Sequence, residues 1–237
     1  MARWQDDLFS LALSDGSEQE IFDRVALLAR DIGFDYCAYG LQMPIPVSNP
    51  KVFMVNNYPD AWRLQYAKAG YLAVDPTVRH GRTSMSPISW SARDQKGNRD
   101  FWNDAVAHDI AHGWCQSSFT RTGIGGMLTL SRSSEPITID ELTQKETQLR
   151  WLVSVTHESM SQRQVGRLNA LNPVQLSARE SEILRWTADG KSAQEIADIL
   201  HVTKHTVEFH IKNAVYKLQA VNKTSAVVKA MVLGLLG

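Results

Sequence analysis

The sequence predicts an α+β protein with an N-terminal α-β-α sandwich and a C-terminal all-α unit of four helices. Short strand-like segments alternate with amphipathic helices up to about residue 160, which is typical of a layered sandwich. A polar, aperiodic stretch at 161–175 contains Pro173 and resembles a linker, and the pattern beyond it is purely helical. The length of 237 residues allows two unequal domains. We therefore expect domains at 1–162 and 176–237, joined by a linker at 163–175.

The first half of the sandwich begins with a marked helix start. Ser17 and Glu20 form a capping box, and the helix that follows ends at Gly33. The segments FDYCAYGL (34–41) and KVFMVNN (51–57) predict two strands around a proline-rich turn at 44–50. Residues 60–70 predict a short helix, and Asp75-Pro76 has the N-cap and first-turn proline of another.

The second half of the sandwich combines helices with a hairpin. Residues 98–113 predict a helix that ends at Gly113. CQSSFTR and GMLTLSR predict two strands joined by the glycine-rich turn 122–126, which needs positive φ. A long amphipathic helix is expected from about Ile139 to Met160.

The C-terminal segment has four helix starts, and two of its helices have matching apolar faces. The N-caps are expected at Ser177 (with Glu180), Ser192 (with Glu195), Thr203 and Asn222. The apolar positions of the second and third helices are Ile196, Ala197 and Leu200, and Val207, Ile211, Ala214, Val215 and Leu218. The joint at 201–203 is short enough to force a sharp crossing, as in a helix-turn-helix. The outward side chains are then Lys204, His205, Glu208, His210 and Lys212. On spacing alone, an ordinary solvated face is the alternative interpretation of this side of the helix.

This segment resembles the DNA-binding module of the LuxR family of bacterial transcription regulators. The matching motif residues are Glu180, Leu184, Gly190, Ile196, Ala197, Thr206, Val207, His210, Lys217, Leu218 and Asn222-Lys223. The resemblance implies a recognition helix with its lead-in at 202–218 and a last helix at 223–235 that helps to form a dimer. We expect groove-side contacts from Lys204, His205, Glu208 and Lys212, and phosphate contacts from Lys191 and Thr206.

The N-terminal domain carries an aromatic set around one carboxylate: Tyr58, Trp62, Tyr66, Asp75 and Trp90. Aromatic walls with a few polar groups suit a small amphiphilic ligand. The alternative is a set of core aromatics in which Asp75 only caps a helix.

The spacing of these residues is similar to that of the autoinducer-binding domain of the LuxR quorum-sensing branch, whose ligands are N-acyl-homoserine lactones. The resemblance implies that Trp62 donates to the lactone carbonyl and that Asp75 accepts from the amide N–H. Tyr58, assisted by Thr129, would donate to the acyl carbonyl. The side chains expected to pack around the ring and chain are Tyr66, Trp90, Phe101 and Ala105. Those expected to border the acyl tail are Ala38, Tyr39, Met127 and Leu128. Because a buried carboxylate needs a donor, we expect the ligand amide to supply it and thereby stabilise the domain.

Composition adds broad expectations. From Gln175 onward there are eight Lys/Arg against six Asp/Glu, a mildly basic balance that is compatible with DNA binding. No apolar run is long enough to span a bilayer, and the N-terminus lacks the layout of a signal peptide. Cys37 and Cys115 are far apart and suggest reduced, buried thiols. These features predict a cytoplasmic protein without a membrane association.

The sequence therefore predicts a ligand-responsive transcription regulator that is not an enzyme and carries no cofactor. Its expected partners are an acyl-homoserine lactone, a near-palindromic double-stranded DNA operator and a second copy of the chain. One alternative is a regulator of the same architecture that responds to another signal or to none. Another is a metal-dependent hydrolase, because His108 and His112 have the i, i+4 spacing of a helical zinc site. Asp109 stands where a metalloprotease has glutamate, and no third ligand is evident, so we expect no metal there.

Overall fold

The computed structural model describes residues 3–12, 16–46, 48–171 and 174–236. One compact unit comprises 1–43, 52–120 and 124–163, and the other comprises 164–237 with the short segments 44–51 and 121–123. Two features of the sequence analysis lie outside the described residues: Val47 in the proline-rich turn and Pro173 in the expected linker. The domain boundaries proposed above stay a prediction.

The N-terminal unit contains a five-stranded antiparallel sheet. Its strands are β1 (Tyr36–Gln42), β2 (Val52–Asn56), β3 (Ile88–Ser91), β4 (His112–Phe119) and β5 (Gly125–Arg132). They lie in the order β2-β1-β5-β4-β3. The turn between β4 and β5 contains Gly123 at a φ of 80°, as the glycine-rich motif predicts.

Among the described residues, six α-helices lie wholly or mainly in this unit. They are α1 (Arg3–Ala12), α2 (Glu18–Asp31), α3 (Asp60–Lys68), α4 (Pro76–Gly81), α5 (Arg99–Ala107) and α6 (Ile139–Leu171). The Ser17–Glu20 capping box is present at the start of α2. Helices α2 and α6 pack on one face, where the Tyr39 hydroxyl meets His157 Nδ1 of α6 at 2.8 Å. Aromatic side chains of α3 and α5 pack on the other face around Trp90 of β3. The predicted α-β-α sandwich is therefore confirmed.

Two helix ends differ from the prediction. Helix α5 stops at Ala107 instead of Gly113, because Asp109 adopts a φ of 65° and the chain then enters β4. His112 and Gly113 pair with Arg132 and Ser131 of β5, so tertiary pairing overrides the local helical pattern. Helix α6 continues past Met160 to Leu171, so most of the expected linker is helical.

After the end of α6, the described part of the C-terminal unit contains four helices: α7 (Ala178–Ala188), α8 (Ala193–Leu200), α9 (Lys204–Lys217) and α10 (Lys223–Val232). Both predicted capping boxes form, and the Thr203 and Asn222 side chains cap α9 and α10. The joint between α8 and α9 turns at His201, whose φ is 51°. Local sequence thus determines each helix start in this unit.

The core of the C-terminal unit joins the helices through apolar packing and one ion pair. Ile183, Ile196 and Val207 are fully buried in one cluster, which fixes α8 against α9. Lys217 Nζ donates to Glu180 Oε2 at 2.7 Å, and this carboxylate is nearly buried. Burial raises the pKa of Glu180, but the hydrogen bonds from Lys217 and Ser177 outweigh it and hold the pKa below its ordinary value.

Candidate ligand site and candidate DNA-binding helix

The face of the sheet toward α3 and α5 carries three of the predicted ligand residues. Ala38 of β1 pairs with Thr129 of β5, and Met127 lies one step further along the same face. Thr129 is buried, whereas Ala38 and Met127 are partly buried. Successive side chains of a strand alternate between faces, so these three residues share one wall of the interior.

Tyr39 and Leu128 do not lie on this wall, contrary to the prediction that they border an acyl tail. They pair with each other across β1 and β5 and are fully buried on the opposite face, toward α2 and α6. Each is adjacent in sequence to a residue of the wall, and alternation places adjacent residues on opposite sides. Tyr39 contributes to the structural core through its hydrogen bond to His157.

The aromatic residues predicted for the ligand site form one cluster on the wall. Trp62 lies at its centre, with ring centroids 5.6 Å from Tyr66 and 5.9 Å from Phe101. The predicted members that the structure brings together are Tyr58, Trp62, Tyr66, Trp90, Phe101 and Ala105. The cluster is thus one aromatic layer built mainly from α3, β3 and α5.

Asp75 joins this cluster through hydrogen bonds. It is the N-cap of α4, and its Oδ1 accepts from the backbone N–H of Thr77 at 2.8 Å and from the Thr77 hydroxyl at 2.7 Å. Its Oδ2 accepts from the Tyr66 hydroxyl at 3.0 Å. Burial raises the pKa of Asp75, and the hydrogen bonds from Thr77 and Tyr66 oppose this rise.

The expectation that Asp75 needs a ligand as its donor is therefore wrong. Thr77 and Tyr66 already supply three hydrogen bonds within the protein. The position of Tyr66 as a donor to Asp75 was missed, because a contact between α3 and the start of α4 is not visible in sequence spacing. A carboxylate oxygen has two acceptor directions, so Oδ2 retains capacity for one further donor.

Two further polar groups belong to the aromatic cluster, the Tyr58 hydroxyl and the Trp90 indole N–H. Burial raises the pKa of the Tyr58 hydroxyl, and the Ser131 hydroxyl beside it partly offsets this rise. The Trp90 indole N–H is buried without a hydrogen-bond acceptor in the described part of the chain. A buried donor without a partner is costly, which makes a polar guest or a water molecule favourable beside it.

Sequence reasoning also missed two large aromatic members of the cluster. Tyr71 packs 5.1 Å from Phe101, and Trp102 packs 4.7 Å from the same ring. The Tyr71 hydroxyl donates to Asp104 Oδ2 at 2.6 Å, which ties the turn after α3 to α5. Trp102 directly follows Phe101, so the two adjacent aromatic residues could have indicated from sequence that Trp102 belongs to the cluster.

His108 and His112 do not form the helical pair suggested by their spacing. His108 lies beyond the last residue of α5 and its Nδ1 contacts the Asp104 carbonyl oxygen at 2.7 Å. His112 lies in β4 and is buried. Among the described residues, no group of three or more His, Cys, Asp or Glu side chains is arranged to hold a metal ion.

Five of the six predicted DNA-contact residues lie on α9, and Lys191 lies just before α8. Lys204, His205, Glu208 and Lys212 are exposed, whereas Lys191 and Thr206 are partly buried. Lys204 Nζ lies 3.7 Å from Glu208 Oε1. This ion pair is exposed and long, so breaking it to form other contacts costs little free energy. The Thr206 hydroxyl is within 2.8 Å of the Thr203 hydroxyl at the start of the helix.

Comparison with known proteins extends over both units. A family model described as "Autoinducer binding domain" matches residues 17–160, and one described as "Bacterial regulatory proteins, luxR family" matches residues 174–230. The chain is 42% identical to the transcriptional activator protein AnoR of Acinetobacter nosocomialis over the full length of both. It is 35% identical to the quorum-sensing regulator RhlR of Pseudomonas aeruginosa, covering 98% of this chain and 96% of that protein.

Solved structures give the same result. The crystal structure of Escherichia coli SdiA matches with a TM-score of 0.80 and 31% identity, covering 99% of this chain and 98% of that one. The complex of SdiA with octanoyl-rac-glycerol also matches with a TM-score of 0.80, at 32% identity over 98% and 95% of the two chains. An autoinducer-binding sandwich followed by a helix-turn-helix unit defines a ligand-responsive transcription regulator. The chain belongs to the LuxR family of quorum-sensing transcription regulators.

None of the helices in the described part of the chain is both long enough and apolar enough to cross a membrane.

Proposed function

We propose that the N-terminal unit binds an N-acyl-homoserine lactone and that the bound chain recognises a near-palindromic operator as a homodimer. The protein acts by binding and not by catalysis. The observation that carries the proposal is the aromatic cluster beside the buried Asp75, in which Trp62 packs against Tyr66 and the Tyr66 hydroxyl donates to Asp75 Oδ2. Acyl-homoserine lactones combine a polar head, an amide and an apolar tail, and the cluster with the neighbouring wall residues offers a matching group for each.

The polar head fits the donors and acceptors around Asp75. Trp62 is buried in the aromatic cluster, and its indole N–H donates to the lactone carbonyl. The ligand amide N–H donates to Asp75 Oδ2, which takes one hydrogen bond from Tyr66 and has capacity for a second. Tyr58 and Thr129 donate to the acyl carbonyl. Trp90, Phe101 and Ala105 surround the ring.

The acyl tail fits the wall beyond Thr129. Ala38 is small and leaves space, and Met127 has an unbranched side chain that adapts to the tail. SdiA, which shares this fold, forms a complex with octanoyl-rac-glycerol, a molecule that also joins a polar head to an acyl chain. Binding then stabilises the sensor by mass action, by about 2.7 kcal/mol at a hundredfold excess of ligand over Kd.

A second candidate is a regulator of the same architecture that folds and binds DNA without a lactone. The observation that favours it is the set of protein donors on Asp75, since Thr77 and Tyr66 satisfy this carboxylate without a guest. The two candidates differ in whether purified protein retains a lactone.

The experiment is expression of the full chain with a mixture of acyl-homoserine lactones, followed by mass spectrometry of an organic extract of the purified protein. We expect wild-type protein to retain a lactone in near-stoichiometric amount and Asp75→Asn to lose it. Asp100→Asn is the control, because this carboxylate is exposed on α5. Wild-type protein that folds and binds DNA but retains no lactone would favour the second candidate.

The C-terminal unit reads DNA through α9. Lys204, His205, Glu208 and Lys212 face the major groove, and Lys191 and Thr206 contact phosphates. Two recognition helices related by twofold symmetry then contact half-sites about one DNA turn apart. In a binding-site selection, Lys212→Ala is expected to relax the preference at one base pair per half-site, whereas Lys191→Ala weakens all sequences alike and lowers the salt dependence. An unchanged preference in Lys212→Ala contradicts the groove assignment.

A further inference from the structure

Two aromatic side chains on α9 are exposed. Phe209 is 55% exposed and Tyr216 is 83% exposed. An exposed phenylalanine has no polar atom that interacts with water, so its ring favours burial against a partner. The Phe209 ring lies 5.5 Å from the His210 ring, measured between centroids, and is tilted strongly against it. The exposure of Phe209 therefore needs an explanation, whereas charged residues such as Lys212 are expected at the surface.

Phe209 points away from the core of the C-terminal unit. The buried residues of α9 are Val207, Ala214 and Leu218. Positions two residues earlier in a helix lie about 200° away, on the opposite side. Those positions are His205, Lys212 and Tyr216, and all three are exposed. Phe209 lies one turn after His205 and one turn before Lys212, in the middle of the outward face.

The surroundings of Phe209 are polar and include the cation Lys212. Lys212 and His205 lie within one turn of Phe209 on the same side of the helix, whereas Lys204, about 140° around the helix, is loosely paired with Glu208. This charge suits a polyanion, and a large apolar protein partner would leave these charges poorly solvated. The apolar group that the major groove of DNA offers is the C5-methyl group of thymine, which phenylalanine contacts in direct readout.

We propose that Phe209 contacts the thymine C5-methyl group in each operator half-site and so determines sequence preference at that base pair. The inference rests on the proposed DNA-binding role of α9 and adds an apolar contact to its charged ones. Lys204 and Lys212 hold the helix in the groove, and the ring covers one methyl group that would otherwise face water. The contact involves no hydrogen-bond donor or acceptor of the base, so Phe209 distinguishes thymine by its methyl group alone.

The experiment uses the full chain purified after expression with a mixture of acyl-homoserine lactones. Binding-site selection first yields the preferred operator. Each thymine of one half-site is then replaced by deoxyuridine, which lacks only the methyl group, and affinities are measured by fluorescence anisotropy. We expect one replacement to weaken wild-type binding about fourfold, as for the loss of one buried methyl-sized group. Phe209→Ala is expected to bind the thymine and deoxyuridine operators equally.

Two further variants control this result. Phe209→Leu retains an apolar side chain and is expected to keep part of the discrimination. Val221→Ala removes a 91% exposed apolar side chain outside α9 and is expected to keep all of it. A wild-type protein indifferent to every methyl group, or a Phe209→Ala variant that keeps the fourfold difference, would overturn the inference. Failure of wild-type protein to select any sequence would instead overturn the proposed function and the inference with it.

Discussion

The two units of the molecule place their functional groups in opposite environments. The sensor buries Trp62 and Asp75 within its aromatic core, whereas the DNA-binding unit exposes Lys212 and Phe209 on the outer side of α9. In the sensor the residues that would bind the ligand also hold the fold together. In the C-terminal unit the core and the binding face are separate. Ligand binding should therefore change the stability of the sensor, while DNA-contact residues can be exchanged with little effect on the fold.

The largest effect expected from this difference is on ligand affinity in Asp75→Asn. The asparagine oxygen can still cap α4 through Thr77, but its NH2 group would meet the Tyr66 hydroxyl and the ligand amide as a donor. Loss of a charge-assisted hydrogen bond is worth about 1.5–3 kcal/mol, so we expect affinity to fall about 100-fold. Isothermal titration with the lactone recovered from wild-type protein measures this, with Asp100→Asn as the matched control. Similar affinities in the two variants would contradict the assignment of Asp75.

The second prediction concerns the stability of the C-terminal unit. Glu180→Gln removes the charge from a nearly buried carboxylate that bonds Lys217 and the N-terminus of α7. We expect a loss of about 2 kcal/mol, less than for a fully buried pair because Lys217 is 39% exposed. Chemical denaturation measures the loss.

Glu182→Gln is the control for this variant, because Glu182 is far less buried than Glu180 and its ion pair with Arg179 is partly exposed on both sides. Lactone affinity should not change in either variant. A fall in lactone affinity in Glu180→Gln would show that the stability of the C-terminal unit affects ligand binding, contrary to this prediction.

The third prediction is a pH dependence of ligand affinity. The lactone amide donates to the ionised form of Asp75, whose pKa burial raises. Affinity should be constant above this raised pKa and should fall as the pH drops through it, by up to tenfold per pH unit. Titrations from neutral toward acidic pH check this. The dependence should be absent in Asp75→Asn, and a dependence that persists there would have to come from another group.

The smallest of these effects is expected for Trp62→Phe. Phenylalanine keeps most of the ring packing against Tyr66 and Phe101 but removes the indole N–H. A neutral hydrogen bond is worth about 1 kcal/mol, so affinity should fall about fivefold. A lactam analogue with the same carbonyl should show the same ratio between the two proteins. Equal lactone affinities in wild type and variant would remove Trp62 from the ligand contacts.

Features determined by neighbouring residues were predictable from sequence, and features determined by distant contacts were not. The capping boxes at Ser177 and Ser192 span three residues, and both were predicted correctly. The end of α5 depends on pairing with β5, and the Tyr66–Asp75 hydrogen bond depends on how the chain turns after α3. These contacts leave no local signal.

Two other misses could have been avoided with the same sequence. Ala38 and Tyr39 are adjacent in one strand, so strand alternation already excludes a common face. Phe209 lies two positions before the apolar Ile211, so helical periodicity already places it outward. Both errors came from selecting residues by chemical type before applying the period of the secondary structure.

The central claim is that Asp75 Oδ2 accepts the ligand amide N–H in addition to the Tyr66 hydroxyl. The most direct measurement compares the affinity of wild-type protein for the recovered lactone and for its N-methyl amide analogue. The account predicts a loss of at least 30-fold for the analogue in wild type and nearly equal affinities in Asp75→Asn. Equal affinity of wild-type protein for both compounds would contradict it.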